Sequence, residues 1–180
     1  MLSQKYSWKG ILCEPAKSWS ENLKLNRPES IIETKCCWSE SGEVLNFLES
    51  DNRELSTITT FSKNDKFRNI RSKGITYEVE TISLLDMLTF HDAPEVIDFI
   101  SIDTEGSEYE ILRNFPFDRY KFRFICVEHN HGKQMKQLET LLCNAGYLKV
   151  YPEISGMDHW FIDHAVNSEL KAKYNKPDIS

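Results

Sequence analysis

Three apolar runs in this chain end in an acid: Gly10 to Glu14 (GILCE), Val96 to Asp103 (VIDFISID) and Phe122 to Glu128 (FRFICVE). Asp103 opens an acidic turn, Asp103-Thr104-Glu105-Gly106, and Glu128 opens a loop, His129-Asn130-His131-Gly132. Carboxylates and imidazoles are the side chains that take a proton from a bound hydroxyl. Carboxylates also bind hard cations. In α/β sheets such chemistry sits just beyond the carboxyl ends of parallel strands, where these acids are expected. The structural alternative for Asp103 or Glu105 is a cap on the following helix, and for Glu14 a charge at a helix amino terminus beside Pro15. For His129 and His131 the alternative is a pair of ordinary loop histidines.

The elements that must position these groups follow from hydrophobic patterning. Val96, Ile97, Phe99, Ile100 and Ile102 read as a buried parallel strand, a short and almost continuous apolar run. A helix with Tyr109, Ile111, Leu112 and Phe115 on its apolar face comes next. The Gly10 to Glu14 strand leads into a helix with Trp19, Leu23 and Leu25 on its inner face, stopped by Pro28. Ile31 to Cys37 is a second strand candidate, Ser39 to Gly42 a turn, and Val44, Phe47 and Leu48 a third strand. Ser50 to Gly74 is polar and reads as a long, partly ordered loop, with Lys63, Lys66, Arg68, Arg71 and Lys73 solvated on it. Ile75 to Ile82 alternates as a strand, and Ser83 caps a short helix carrying Leu84, Leu85, Met87 and Leu88. A helix from about Lys133 to Asn144 ends at Gly146. Tyr147 to Tyr151 and His159 to Ile162 form a closing antiparallel pair, and the tail from Val166 is polar and frayed. The fold class is therefore α/β, with one domain over residues 1–165 and a polar tail over 166–180.

At 180 residues, with 40% hydrophobic and 12% aromatic content, the chain can bury a real core and is not disordered. A net charge of −6 argues against a nucleic-acid backbone as partner. The five cysteines (Cys13, Cys36, Cys37, Cys126, Cys143) have no zinc-ligand spacing. Cys13, Cys36 and Cys126 lie in apolar runs as small core residues. Met1 to Lys9 has no apolar core, and no run is long enough to span a membrane. The expected setting is reduced and cytoplasmic, without a membrane partner.

The segments Trp8-Lys9-Gly10-Ile11-Leu12-Cys13-Glu14-Pro15, Ile100-Ser101-Ile102-Asp103-Thr104-Glu105-Gly106-Ser107-Glu108 and Ile125-Cys126-Val127-Glu128 together resemble the FkbM family of S-adenosylmethionine-dependent methyltransferases. The resemblance runs from about Trp8 to Asp163, and the Asp-x-Glu-Gly-x-Glu run is its most specific part. It implies a Rossmann-like class I methyltransferase sheet, mostly parallel with an antiparallel carboxyl-terminal strand pair. It also implies methyl transfer to a hydroxyl of a sugar or other small metabolite. Glu14 would bind the cofactor ribose, the role of an acid ending the second strand of a dinucleotide-type fold. Asp103 and Glu105 would sit beside the methionine end of the cofactor and the acceptor.

One departure qualifies that picture. A first strand with a Gly-rich turn normally precedes the WxGxxxEP segment, whereas the seven glycines here include no GxG pair. The expectation is a chain truncated at its amino terminus, with the alternatives that the sheet closes up or another chain fills the gap. Strand edges beside the gap would invite self-association, and cofactor binding by the isolated chain would be weak.

Methyl transfer to oxygen needs a base within reach of the acceptor hydroxyl. Asp103, Glu105, Glu128, His129 and His131 are the candidates, and His129 has the most suitable intrinsic pKa, about 6.5 for a free imidazole. A second route is a divalent ion held by Asp103 and Glu128 with His129 or Asn130, an arrangement similar to that of metal-dependent O-methyltransferases. His129 and His131 alone are too few ligands for zinc. Asp158-His159-Trp160 would line the acceptor pocket, with core packing the alternative for Trp160. Two other classes compete: a methyltransferase-like remnant that serves as a binding module, and a dinucleotide oxidoreductase, which the missing glycine fingerprint disfavours.

Overall fold

A computed structural model describes residues 5–62, 67–129 and 134–174. Its contacts divide the chain into two compact units, Met1–Asp92 and Ala93–Ser180.

In the first unit, β1 (Ile11–Cys13) pairs in parallel with β2 (Ile31–Glu33), and a helix over Lys17–Asn26 connects them. The expected strand from Ile31 to Cys37 breaks into two. The Glu33 carboxylate accepts a hydrogen bond from the Lys35 amide at 2.9 Å, a local turn that ends β2. β3 (Cys36–Trp38) then joins a different sheet, in parallel with β6 (Ile75–Ser83). After the turn at Gly42, which has a φ of 81°, β4 (Val44–Glu49) runs antiparallel to β6 on its other side and pairs with β5 (Thr57–Ile58). Ala16, Cys36, Phe47, Ile58 and Val79 form the core here, with Trp19 packed against it. Leu25, expected on the inner face of its helix, is 79% exposed. Cys13, expected in the core, is only half-buried.

The segment read as a loop over Ser50 to Gly74 is largely built. It contains a 3-10 turn (Arg53–Leu55), β5 and a short helix (Arg68–Arg71). Arg71, expected in solvent, is buried with its guanidinium Nε donating to the Leu55 carbonyl at 2.6 Å. Lys63 and Lys66 lie outside the described residues. At Ser83 the reading holds: its hydroxyl accepts from the Asp86 amide at 3.0 Å and caps the helix over Leu84–Phe90.

The second unit carries one four-stranded sheet in the order β7 (Val96–Ile102), β8 (Lys121–Glu128), β10 (Asp158–Asp163), β9 (Tyr147–Val150). β7 and β8 are parallel, and β10 is antiparallel to both of its neighbours. The closing pair was expected. The fold is mixed α/β as expected, and its described strands fall into three sheets with antiparallel as well as parallel pairings. Leu112, Phe122, Ile125, Val127, Leu142, Val150 and Phe161 are fully buried and hold this sheet to the helices over Glu108–Leu112 and Met135–Asn144. The frayed tail is corrected too: a helix spans His164–Tyr174. Asp163 starts it by accepting from the Ala165 amide at 2.8 Å, and Asn167 is buried. Among the described residues no helix is long and apolar enough to cross a membrane.

Candidate active site

The parallel register between β7 and β8 sets Ile102 against Val127, so the next residues, Asp103 and Glu128, emerge side by side at the carboxyl edge of the sheet. From the other flank, β10 places Asp158 opposite Glu128. Ile102 and Val127 are buried, which anchors both strand ends.

Between β7 and its helix the chain makes a tight turn. Glu105 sits at a φ of 58° and Gly106 at 120°. A non-glycine residue in the left-handed region costs on the order of 1 kcal/mol, and Gly106 meets its own angle without a Cβ penalty. Glu108 holds the turn in place. One of its carboxylate oxygens accepts from the Thr104 amide (2.9 Å), the Thr104 hydroxyl (3.0 Å) and the Gly106 amide (3.0 Å). Burial raises the Glu108 pKa, and those donors pull it back. No role for Glu108 is expected from the sequence. The available signal was its place in the helix's first turn, two and four residues after the amides it binds.

Held this way, Asp103, Glu105 and Glu128 bring carboxylate oxygens within 4.8 Å of one another. Glu105 and Glu128 are buried, while Asp103 is exposed. Burial, then the hydrogen bond with Asp103 and the charges of Asp103, Glu105 and Glu108, push Glu128 up to about 9. At neutral pH the Asp103–Glu128 pair therefore shares a proton. Glu128 Oε2 is buried and has no hydrogen-bond partner among the described residues.

His129, next to Glu128, packs against His159. Its amide donates to the Met157 carbonyl at 3.0 Å, and its buried ring lies 4.0 Å, centroid to centroid, from that of His159. Lys149 Nζ is 3.0 Å from His159 Nε2 and 3.1 Å from Glu139 Oε2. An ammonium only donates, so His159 accepts at Nε2 and carries its proton on Nδ1. Among the described residues the clustered cation-type ligands are the three carboxylates, without His129. Asn130 and His131 lie outside the described residues. Trp160 is 37% exposed with its ring facing Phe99, so it is not core.

Within the first unit, Glu14 follows β1 and is half-buried. Its Oε1 accepts from the Ala16 amide at 2.8 Å, Tyr77 Oη from Lys17 at 3.0 Å and Glu49 Oε1 from Ser18 at 3.2 Å. Three successive amides at the helix start thus find three side chains. Burial raises Glu14, the Ala16 amide opposes this, and the Glu49 charge adds to it. Burial also opposes the charged form of Glu49, yet donors from Ser18 and Tyr77 lower it overall. The helix-entry alternative for Glu14 is therefore present in the fold. Glu49 and Tyr77 were missed, although Glu49 ends an apolar run just as Glu14 does.

A family model, the methyltransferase FkbM domain, matches residues 1–149. The chain belongs to the FkbM methyltransferase family. Comparison with curated proteins gave no match, and neither did comparison with solved structures. The FkbM match takes in Glu14, Asp103, Glu105, Glu128 and His129, and it ends within β9. β10, with Asp158 and His159, lies beyond the matched part of this FkbM chain.

Proposed function

We propose that this FkbM chain is an S-adenosylmethionine-dependent O-methyltransferase acting on a hydroxyl of a small molecule, with sugars as the leading acceptor class. The observation that carries the reading is the trio of carboxylates gathered where β7 and β8 end, in a site open on the Asp103 side. Such a donor set fits a cationic cofactor and a hydroxyl acceptor alike. S-adenosylmethionine supplies an electrophilic methyl on a sulfonium.

The chain's own task is to orient the acceptor oxygen and receive its proton as the carbon–oxygen bond forms. We assign that proton to Asp103, the exposed member of the trio, rather than to His129, whose ring is buried against His159. Glu105 supplies negative potential beside the same centre, held there by the strained turn. Glu14 keeps the ribose hydroxyls as its proposed partner through the carboxylate oxygen that does not cap Ala16.

Transfer of labelled methyl groups to a panel of sugar and small alcohol acceptors tests the reading. Asp103→Asn should melt like the wild type and lose about two to four decades of rate. An equally active Asp103→Asn returns Asp103 to a structural role. A wild-type chain that fails to bind S-adenosylmethionine at millimolar concentration contradicts the function itself.

A further inference from the structure

We propose that Cys13 and Cys37 are a modification site, a thiol pair that a hydroperoxide closes into a disulfide beside Glu14. Cys13 ends β1 and Cys37 is the middle residue of β3, strands that belong to different sheets of the first unit. The turn after β2 brings the two together. Cys13 faces Glu33 in the register of β1 with β2, and its thiol donates to the Lys35 carbonyl at 3.2 Å, two residues before Cys37. The Cys37 thiol in turn donates a hydrogen bond to Cys13. With the two sulfurs already in contact, a local side-chain shift brings them to the S–S bond length of about 2 Å.

The third thiol of this cluster is not part of the pair. Successive residues of a strand point to opposite faces. Cys36 is buried in the core with Ala16, Phe47, Ile58 and Val79, and its thiol points to the Cys37 carbonyl at 3.8 Å. Burial, then the Cys13 and Glu14 charges, push it up to about 12. Cys36 is therefore a packing residue. Cys13 and Cys37 are both half-buried, within reach of an oxidant as small as hydrogen peroxide.

The hydrogen bond sets the order of the steps. That bond, then burial and the Cys13 and Cys36 charges, hold the Cys37 thiol well above the ordinary thiol range, so the thiolate of the pair forms on Cys13. The Cys13 thiolate attacks one peroxide oxygen and the O–O bond breaks. The released hydroxide takes up the proton that Cys13 lost, leaving a sulfenic acid and one water. Cys13 then carries no charge to oppose ionisation of Cys37. The Cys37 sulfur attacks the sulfenic sulfur, and the S–S bond forms as the S–O bond breaks. The Cys37 proton leaves with that hydroxide as a second water. The two thiols lose two electrons, and one peroxide becomes two waters. The bond ties the strand end that carries Glu14 to a second sheet. On the proposed ribose role of Glu14, on which this consequence alone rests, the oxidised chain binds S-adenosylmethionine more weakly.

Hydrogen peroxide treatment of the full chain, followed by non-reducing peptide mass mapping, tests the pair without any other ligand. The expected product is a monomer that has lost two hydrogens, with Cys13 and Cys37 in one cross-linked peptide pair that dithiothreitol separates. Cys37→Ser should leave Cys13 as a sulfenic acid that dimedone traps. Cys143→Ser, at the exposed cysteine of the second unit, should cross-link as the wild type does. A folded chain that forms no Cys13–Cys37 link in excess peroxide, or that links Cys36 instead, overturns the inference. Titration of the reduced and oxidised wild type with S-adenosylmethionine should then show about tenfold weaker binding after oxidation. A cross-linked chain of unchanged affinity overturns the consequence for Glu14. A reduced chain that binds no S-adenosylmethionine contradicts the methyltransferase reading instead, and the mapped disulfide stands on its own.

Discussion

Glu108 and Glu128 lie in the same unit and are equally buried, yet their surroundings are opposite. At the start of the helix after β7, Glu108 is met by two amides and a hydroxyl. At the end of β8, Glu128 faces Asp103 and Glu105, keeps an unsatisfied oxygen and is pushed up to about 9. Burial alone therefore does not say how an acid is held; the identity of the nearest polar atoms does. An acid among donors stabilises the fold as it stands. An acid among acids is a cost to the fold, and such costs collect at sites that bind or transfer charge. Glu14 falls between the two: its Ala16 amide contact is structural, and its second oxygen is what the proposed ribose role uses.

The comparison breaks most visibly at Glu108. Glu108→Ala removes the shared acceptor of the Thr104 and Gly106 amides, which should cost roughly 2–5 kcal/mol in urea unfolding, at about 1–3 kcal/mol for each unsatisfied group. A variant as stable as the wild type would mean that the turn holds its shape without the brace.

Glu128→Gln should act in the other direction, with a pH signature. A carboxyl raised from 4.5 to about 9 stays protonated in the fold while the unfolded chain releases its proton. The unfolded state then binds fewer protons, so stability falls as pH rises from about 4.5 towards 9. Glutamine carries no such penalty. In metal-free buffer the variant should match the wild type near pH 4 and melt at least about 4 °C higher near pH 8. Equal melting at both pH values would place Glu128 with the ordinary acids.

How legible each feature was follows from where its cause lies. The placing of Asp103 beside Glu128 was readable because each follows an apolar run, and the parallel pairing of β7 with β8 brings such ends together. The role of Glu108 was not, since it depends on a turn whose φ values are unusual for the residue at its apex. The break between β2 and β3 was hidden in a local bond from Lys35 to Glu33 inside a continuous apolar run. Arg71 misled because a charged residue in a polar stretch reads as solvated, while its partner is a backbone carbonyl 16 residues away. The helix over His164–Tyr174 is polar, and its start depends on the Asp163 cap rather than on an apolar stripe.

The central claim is that Glu128 is held as a proton-sharing acid beside Asp103 and Glu105. Carbon-13 NMR titration of the glutamate carboxyl carbons in metal-free buffer, with Glu128 assigned by its absence in Glu128→Gln, reads this directly. The account predicts a Glu128 midpoint far above the others, close to 9, and a biphasic curve from its coupling to Asp103. A single step in the ordinary carboxylate range, about 4–5, would contradict it.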